Sequence, residues 1–226
     1  VFHPLRKRNL PDILAVKRKR GEDRMHIVCL DLEGVLVPEI WIAFSRATGI
    51  EELKVTTRDW PDYDKLMRYR IGILDSHGLK LADIQRVIGQ LEPLEGAVDF
   101  IRELRNITQV IILSDTFTQF AHPLMAKLGF PTLFCNSLVI GEDGSVRGYA
   151  LRQKEGKLQS VKALKGLNFR VLAAGDSYND LAMIQEADSG ILFRSPEGIR
   201  AQHPGIPALE SYDELLGAVK EFIALA

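Results

Sequence analysis

Leu30-Asp31-Leu32-Glu33-Gly34-Val35-Leu36-Val37 is the stretch from which this chain is best read. The run before it, Ile27-Val28-Cys29-Leu30, is short, apolar and β-prone, and it stops at two carboxylates followed by glycine. That pattern predicts a buried parallel strand ending at a site, because ligands of open α/β sheets gather beyond the carboxyl ends of the strands. Two acids spaced i, i+2 can divide the work, one attacking or binding a metal and the other moving protons. Gly34 lets the backbone turn away at once. Taken alone, a strand ending in Asp before a Gly turn is also ordinary loop chemistry.

Working outward, residues 38–92 hold no β-run. Leu81, Ile84, Val87, Ile88 and Leu91 recur at helical spacing, so this segment reads as a helical insertion placed over the first strand's loop. From Pro93 the pattern alternates α and β. Gly96 to Arg105 is amphipathic through Val98, Ile101 and Leu104, and Val110-Ile111-Ile112-Leu113 reads as a strand ending at Ser114-Asp115-Thr116. A helix runs on to Leu128-Gly129, with Pro123 implying a kink or a late start. Thr132 to Cys135 reads as a third strand, and Asp143-Gly144 marks a hairpin within residues 137–150.

Arg152 to Lys157 leads into a helix with Leu158, Val161 and Leu164. Val171-Leu172-Ala173-Ala174 is a further strand, ending in Gly175-Asp176-Ser177-Tyr178-Asn179-Asp180. Gly190 to Phe193 is another, followed by Ser195-Pro196-Glu197 as cap and first helical position. Ser211 and Glu214 form a capping-box pattern ahead of a last helix from Tyr212. The fold class is α/β, with a parallel sheet flanked by helices and a small helical cap inserted after the first strand.

With 226 residues, 46% of them hydrophobic, the chain can bury a full core, and it has no apolar run long enough for a membrane span. The net charge of −1 conceals a basic end: residues 1–24 carry eight Lys/Arg against three Asp/Glu. This segment could be a nucleic-acid arm, but a disordered tail is the stronger expectation. Cys29 and Cys135 sit in runs that read as buried strands, which suits reduced thiols in the cytoplasm. His26, His77, His122 and His203 lack metal-site spacing, and Trp41 and Trp60 read as packing residues.

Three strand ends thus supply Asp31 with Glu33, Ser114, and Asp176 with Asn179 and Asp180, while Lys157 opens a helix between them. Brought to one sheet edge, they make a hard oxygen-rich site for Mg²⁺ beside a hydroxyl and a lysine suited to phosphate. In this order the motifs resemble the haloacid dehalogenase (HAD) superfamily of phosphatases from Met25 to near the C-terminus, with Lys154 as a rival to Lys157. Glu33 stands where aspartate is usual. Together with Pro38-Glu39 and Leu66-Met67-Arg68-Tyr69-Arg70, it resembles the phosphoserine phosphatase branch, closest to members that also transfer phosphate to homoserine.

The resemblance implies domains at 25–37 and 93–226 (catalytic core) and 38–92 (cap). It also implies Mg²⁺-dependent hydrolysis of O-phospho-L-serine through an aspartyl phosphate, with homoserine as a second acceptor. Asp31 would be the nucleophile and Glu33 the acid/base. Asp31, the Glu33 carbonyl and Asp176 would hold the metal, Ser114, Lys157 and Asn179 the phosphate, and Asp180 would brace the site. Glu39 would take the substrate ammonium and Arg70 its carboxylate, although a solvent-exposed Arg70 on a charged helix competes with that role. The resemblance leaves monomer and homodimer open. Two alternatives stand beside it: a phosphatase of another small phosphate ester, and a non-catalytic nucleic-acid-binding protein using the basic arm. The complete set of acids and lysine argues against the latter.

Overall fold

The computed structural model describes residues 24–56, 59–60 and 62–225. The expectations for the basic segment 1–24 fall, apart from Arg24, outside the described residues. β1 (His26–Leu30) lies at the centre of a seven-stranded sheet. Its residues alternate between faces as a strand requires: Val28 and Leu30 join one apolar cluster and Ile27 and Cys29 another. Both faces are therefore covered, which explains why the run is apolar throughout.

β2 (Gln109–Phe117) and β5 (Arg170–Gly175) pair in parallel with the two sides of β1. The full order is β4-β3-β2-β1-β5-β6-β7, with β3 (Thr132–Ile140), β6 (Ser189–Phe193) and β7 (Ala208–Leu209) parallel to their inner neighbours and β4 (Val146–Ala150) antiparallel to β3. The chain builds outward on one side of β1 and then resumes on the other, so the edge beyond β1, β2 and β5 is a topological switch point, where a crevice is expected.

Several boundaries differ from the sequence expectation. β2 continues past Leu113 to Phe117, but its register against β3 is irregular between those residues, so Ser114-Asp115-Thr116 form a bulge inside the strand. Thr132–Ile140 is one strand rather than two, because its first half pairs with β2 and its second with β4. Cys135 is consequently half-buried, not core. Helix α4 (Ala97–Ile107) buries Ala97, Phe100, Ile101 and Leu104 and turns Val98 to solvent. Helix α8 (Glu197–Gln202) begins after Pro196, and Ser195 does not cap it. α9 (Tyr212–Ala224) carries the expected Ser211/Glu214 capping box.

Between β1 and β2 lie α1 (Ile40–Thr48), a 3₁₀ turn at Glu51–Lys54, α2 (Tyr63–Ser76) and α3 (Leu81–Ile88). Leu91 falls beyond the end of α3. α5 (Thr118–Lys127) continues through Pro123, so it neither starts late nor stops there. Proline cannot donate to the carbonyl four residues back, and the Gln85 side chain of α3 donates to that Gln119 carbonyl instead, at 2.9 Å. α6 (Gly156–Gly166) and α7 (Leu181–Glu186) complete the helices that cover the sheet, packing against each other and against β5 and, respectively, β2 and β6.

Candidate active site

The edge beyond β1, β2 and β5 opens into a cavity of about 140 Å³. Asp31 follows β1 directly, its N–H donating to the Ala174 carbonyl at 3.0 Å, so its position is set by the sheet itself. Gly34 turns the chain with φ +78, and a Cβ there would lie 2.6 Å from the Asp176 carboxylate. Glycine is thus required both by the backbone and by the close approach of β5's terminal acid.

Asp31, Asp176 and Asp180 are all buried, each offering an oxygen within 4.8 Å of the others. Asp180 is also a brace: its Oδ2 accepts from the N–H groups of Asp176 (3.1 Å) and Ser177 (3.0 Å) and from the Ser177 hydroxyl (3.0 Å). The ammonium of Lys157 reaches Asp180 at 2.6 Å, Asp31 at 2.8 Å and Asp115 at 3.7 Å. Lys154 is exposed, because α6 starts at Gly156 after Glu155 takes a left-handed φ of 51.

The electrostatics follow from burial and charge count. Burial, then Asp180, push the Asp31 carboxyl well above its ordinary range, and Lys157 opposes them. Burial pulls the Lys157 ammonium down, but Asp180, Asp31 and Asp115 together outweigh it and hold the group protonated. Glu33 is pushed up to about 7 by burial and by Glu39, against the Ile40 N–H that donates to its Oε2 at 2.9 Å. A carboxyl poised there can both give and take a proton near neutrality.

Ser114 is buried in the bulge and its oxygen accepts from the Thr116 N–H at 3.1 Å, which turns its own proton toward other partners. Asn179 donates to Asp115 at 3.0 Å and is contacted by the Ser177 hydroxyl. Glu39 stands at the N-cap position of α1 without a side-chain capping bond and lines the same cavity. Arg70, for which solvent exposure competed as a reading, is only 6% exposed. Its guanidinium donates to the Val55 carbonyl at 2.8 Å and lies 4.5 Å from the Trp41 ring centre, while its Nε has no hydrogen-bond partner. A buried cation so arranged suits an incoming anion.

The sequence reading missed Trp41, Tyr63 and Asp115 as lining residues. Tyr63 donates its hydroxyl to the Asp115 carbonyl at 3.2 Å. No local signal marks Trp41 or Tyr63, since their significance comes from partners far along the chain. Asp115 had one, its place beside Ser114 at a polar strand end.

Two strand-end acids, a buried lysine and a strand hydroxyl on an α/β sheet define a phosphoryl-transfer class of hydrolase, and the family model for haloacid dehalogenase-like hydrolases matches residues 25–188. The chain belongs to that family. It is 60% identical over 203 residues to the phosphoserine phosphatase of Pseudomonas syringae pv. tomato, covering 90% of this chain and 84% of that one. It is 61% identical over 191 residues to phosphoserine phosphatase ThrH of Pseudomonas aeruginosa, covering 84% and 93%. A solved structure described as a phospho-aspartyl intermediate analogue of phosphoserine phosphatase superposes with a TM-score of 0.69 at 21% identity, over 87% of this chain and 99% of that one. No helix among the described residues is long and apolar enough to cross a membrane.

Proposed function

We propose that this chain is a phosphoserine phosphatase in which Asp31 attacks phosphorus and Glu33 serves as acid and then base. The observation that carries this reading is the buried Asp31–Lys157 pair at 2.8 Å, with Glu33 poised near 7 on the adjoining turn. The 61% identity to phosphoserine phosphatase ThrH supports the choice of substrate. Asp31 forms a bond to phosphorus as the serine oxygen leaves, and Glu33 gives that oxygen a proton. Glu33 then takes one from the water that cleaves the aspartyl phosphate. Lys157, Ser114 and Asn179 hold phosphate oxygens. Arg70 reads the carboxylate, Glu39 the ammonium, and residues 38–92 act as the cap that encloses them.

A divalent cation fits the donors. Three buried carboxylates cluster, two of them, Asp31 and Asp180, paired with the Lys157 ammonium, and hard oxygens suit Mg²⁺. Asp31, the Glu33 carbonyl and Asp176 would hold it, with Asp180 orienting its neighbours. When bound it would offset the repulsion between the nucleophile and an anionic phosphate. Glu33, one methylene longer than aspartate, is the group that would let homoserine compete with water.

The test is phosphate release from O-phospho-L-serine, with and without Mg²⁺, for the native protein and Asp31→Asn. Homoserine is added in a parallel arm read by ³¹P NMR. Turnover that needs Mg²⁺ and vanishes in Asp31→Asn is expected, with some phosphohomoserine in the added arm. Normal activity in Asp31→Asn would overturn the mechanism.

A further inference from the structure

We propose that Asp115 determines specificity: its carboxylate favours phosphate monoesters bearing an ammonium group and disfavours those without one. This rests on the phosphatase reading above and deepens it. Asp115 sits beside Ser114 in the β2 bulge and is held from three directions. Its carbonyl accepts from the Tyr63 hydroxyl at 3.2 Å and from the Asn136 amide at 3.1 Å, and its Oδ2 accepts from Asn179 at 3.0 Å. The side chain nevertheless remains 44% exposed, at the mouth of the cavity rather than within the acid cluster.

A fixed negative charge next to a phosphate-binding serine is a liability for any phosphate. Lys157 offsets only part of it, being 3.7 Å from Asp115 but 2.8 and 2.6 Å from Asp31 and Asp180, with which it is shared. The charge becomes useful only if the right substrate brings its own cation. Specificity then comes from repulsion of the wrong ester as much as from attraction of the right one. Arg70 lines the same cavity from α2, so a substituent with one positive and one negative group meets complementary charge at both. Glu39 supplies a second anion on the cap side, and Asp115 supplies one from the core.

The competing explanation is that Asp115 merely positions Asn179. Asp115→Asn separates the two, since the amide keeps an oxygen to accept from Asn179 while the charge is lost, and with it the longer ion pair to Lys157, whose two closer carboxylates remain. The measurement is kcat/KM, at saturating Mg²⁺, for O-phospho-L-serine and for its deamino analogue 3-phosphooxypropanoate, which retains carbon chain, carboxylate and phosphate. The native protein should prefer phosphoserine. Asp115→Asn should shrink that preference about tenfold, with KM rising for phosphoserine and falling for the analogue. Equal losses on both would assign Asp115 to positioning and overturn the proposal, as would an unchanged ratio. Absence of turnover on either ester by the native protein would instead remove the phosphatase reading on which it rests.

Discussion

Arg70, proposed to read the substrate carboxylate, is set in place by its surroundings. Its guanidinium is desolvated enough that burial lowers its pKa to about 10, yet one face lies over Trp41 and one nitrogen is held by the Val55 carbonyl. Trp41 therefore fixes the plane in which the fork is presented. A desolvated cation–aromatic contact is worth roughly 1–2 kcal/mol, so Trp41→Leu should raise KM for phosphoserine about fivefold or more and leave kcat within about twofold. The same change should add nothing in an Arg70→Ala background, because the partner is already gone. Additive losses in the double variant would show that Trp41 acts through packing alone. Sequence could not reveal this pair: a tryptophan among apolar residues reads as core, and its partner lies 29 positions away on another helix.

At the scale of elements, the inserted helices are tied to the core by side chains that complete broken backbone pairing. Gln85 on α3 donates to the Gln119 carbonyl that Pro123 leaves without its helical donor. Gln119 in turn brackets Leu138 of β3, donating to its carbonyl at 3.0 Å and accepting from its N–H at 2.9 Å. Gln85→Ala should thus leave a half-buried carbonyl unpaired, costing about 1–2 kcal/mol and lowering Tm by roughly 2–8 °C in a protein of this size. Pro123→Ala restores a backbone donor and should recover part of that loss only in the Gln85→Ala background; no recovery would mean the bond is incidental. Most central elements were legible because β1, β5 and β6 are short apolar runs closed by polar residues, whereas the two-residue β7 carried no such pattern. What was not legible needed partners in space: the bulge at Ser114–Thr116, the single strand Thr132–Ile140, and the helix through Pro123. The choice between Lys154 and Lys157 turned on one left-handed residue, Glu155.

For the molecule as a whole, the sheet gathers negative charge at its centre. β1 and β5 run in parallel side by side, so residues far apart in sequence, Asp31 and Asp176, necessarily meet at one edge, and Gly34 permits their close approach. That convergence could be read from the order of strand ends, but its crowding could not. Three buried acids, two of them paired with Lys157, repel one another in a way that a bound cation would relieve, so metal binding should appear as stability and not only as rate. Mg²⁺ at about 100 times its dissociation constant contributes about 2.7 kcal/mol. In a chain of this length that corresponds to a rise in Tm of roughly 5–10 °C. Chelation should reverse the rise. Asp176→Asn, which removes a charge from the cluster and leaves Lys157 paired with Asp31 and Asp180, should abolish most of the Mg²⁺-dependent shift. Calorimetry with and without Mg²⁺ decides the matter, since an equal shift in native protein and Asp176→Asn would place the stabilising cation elsewhere.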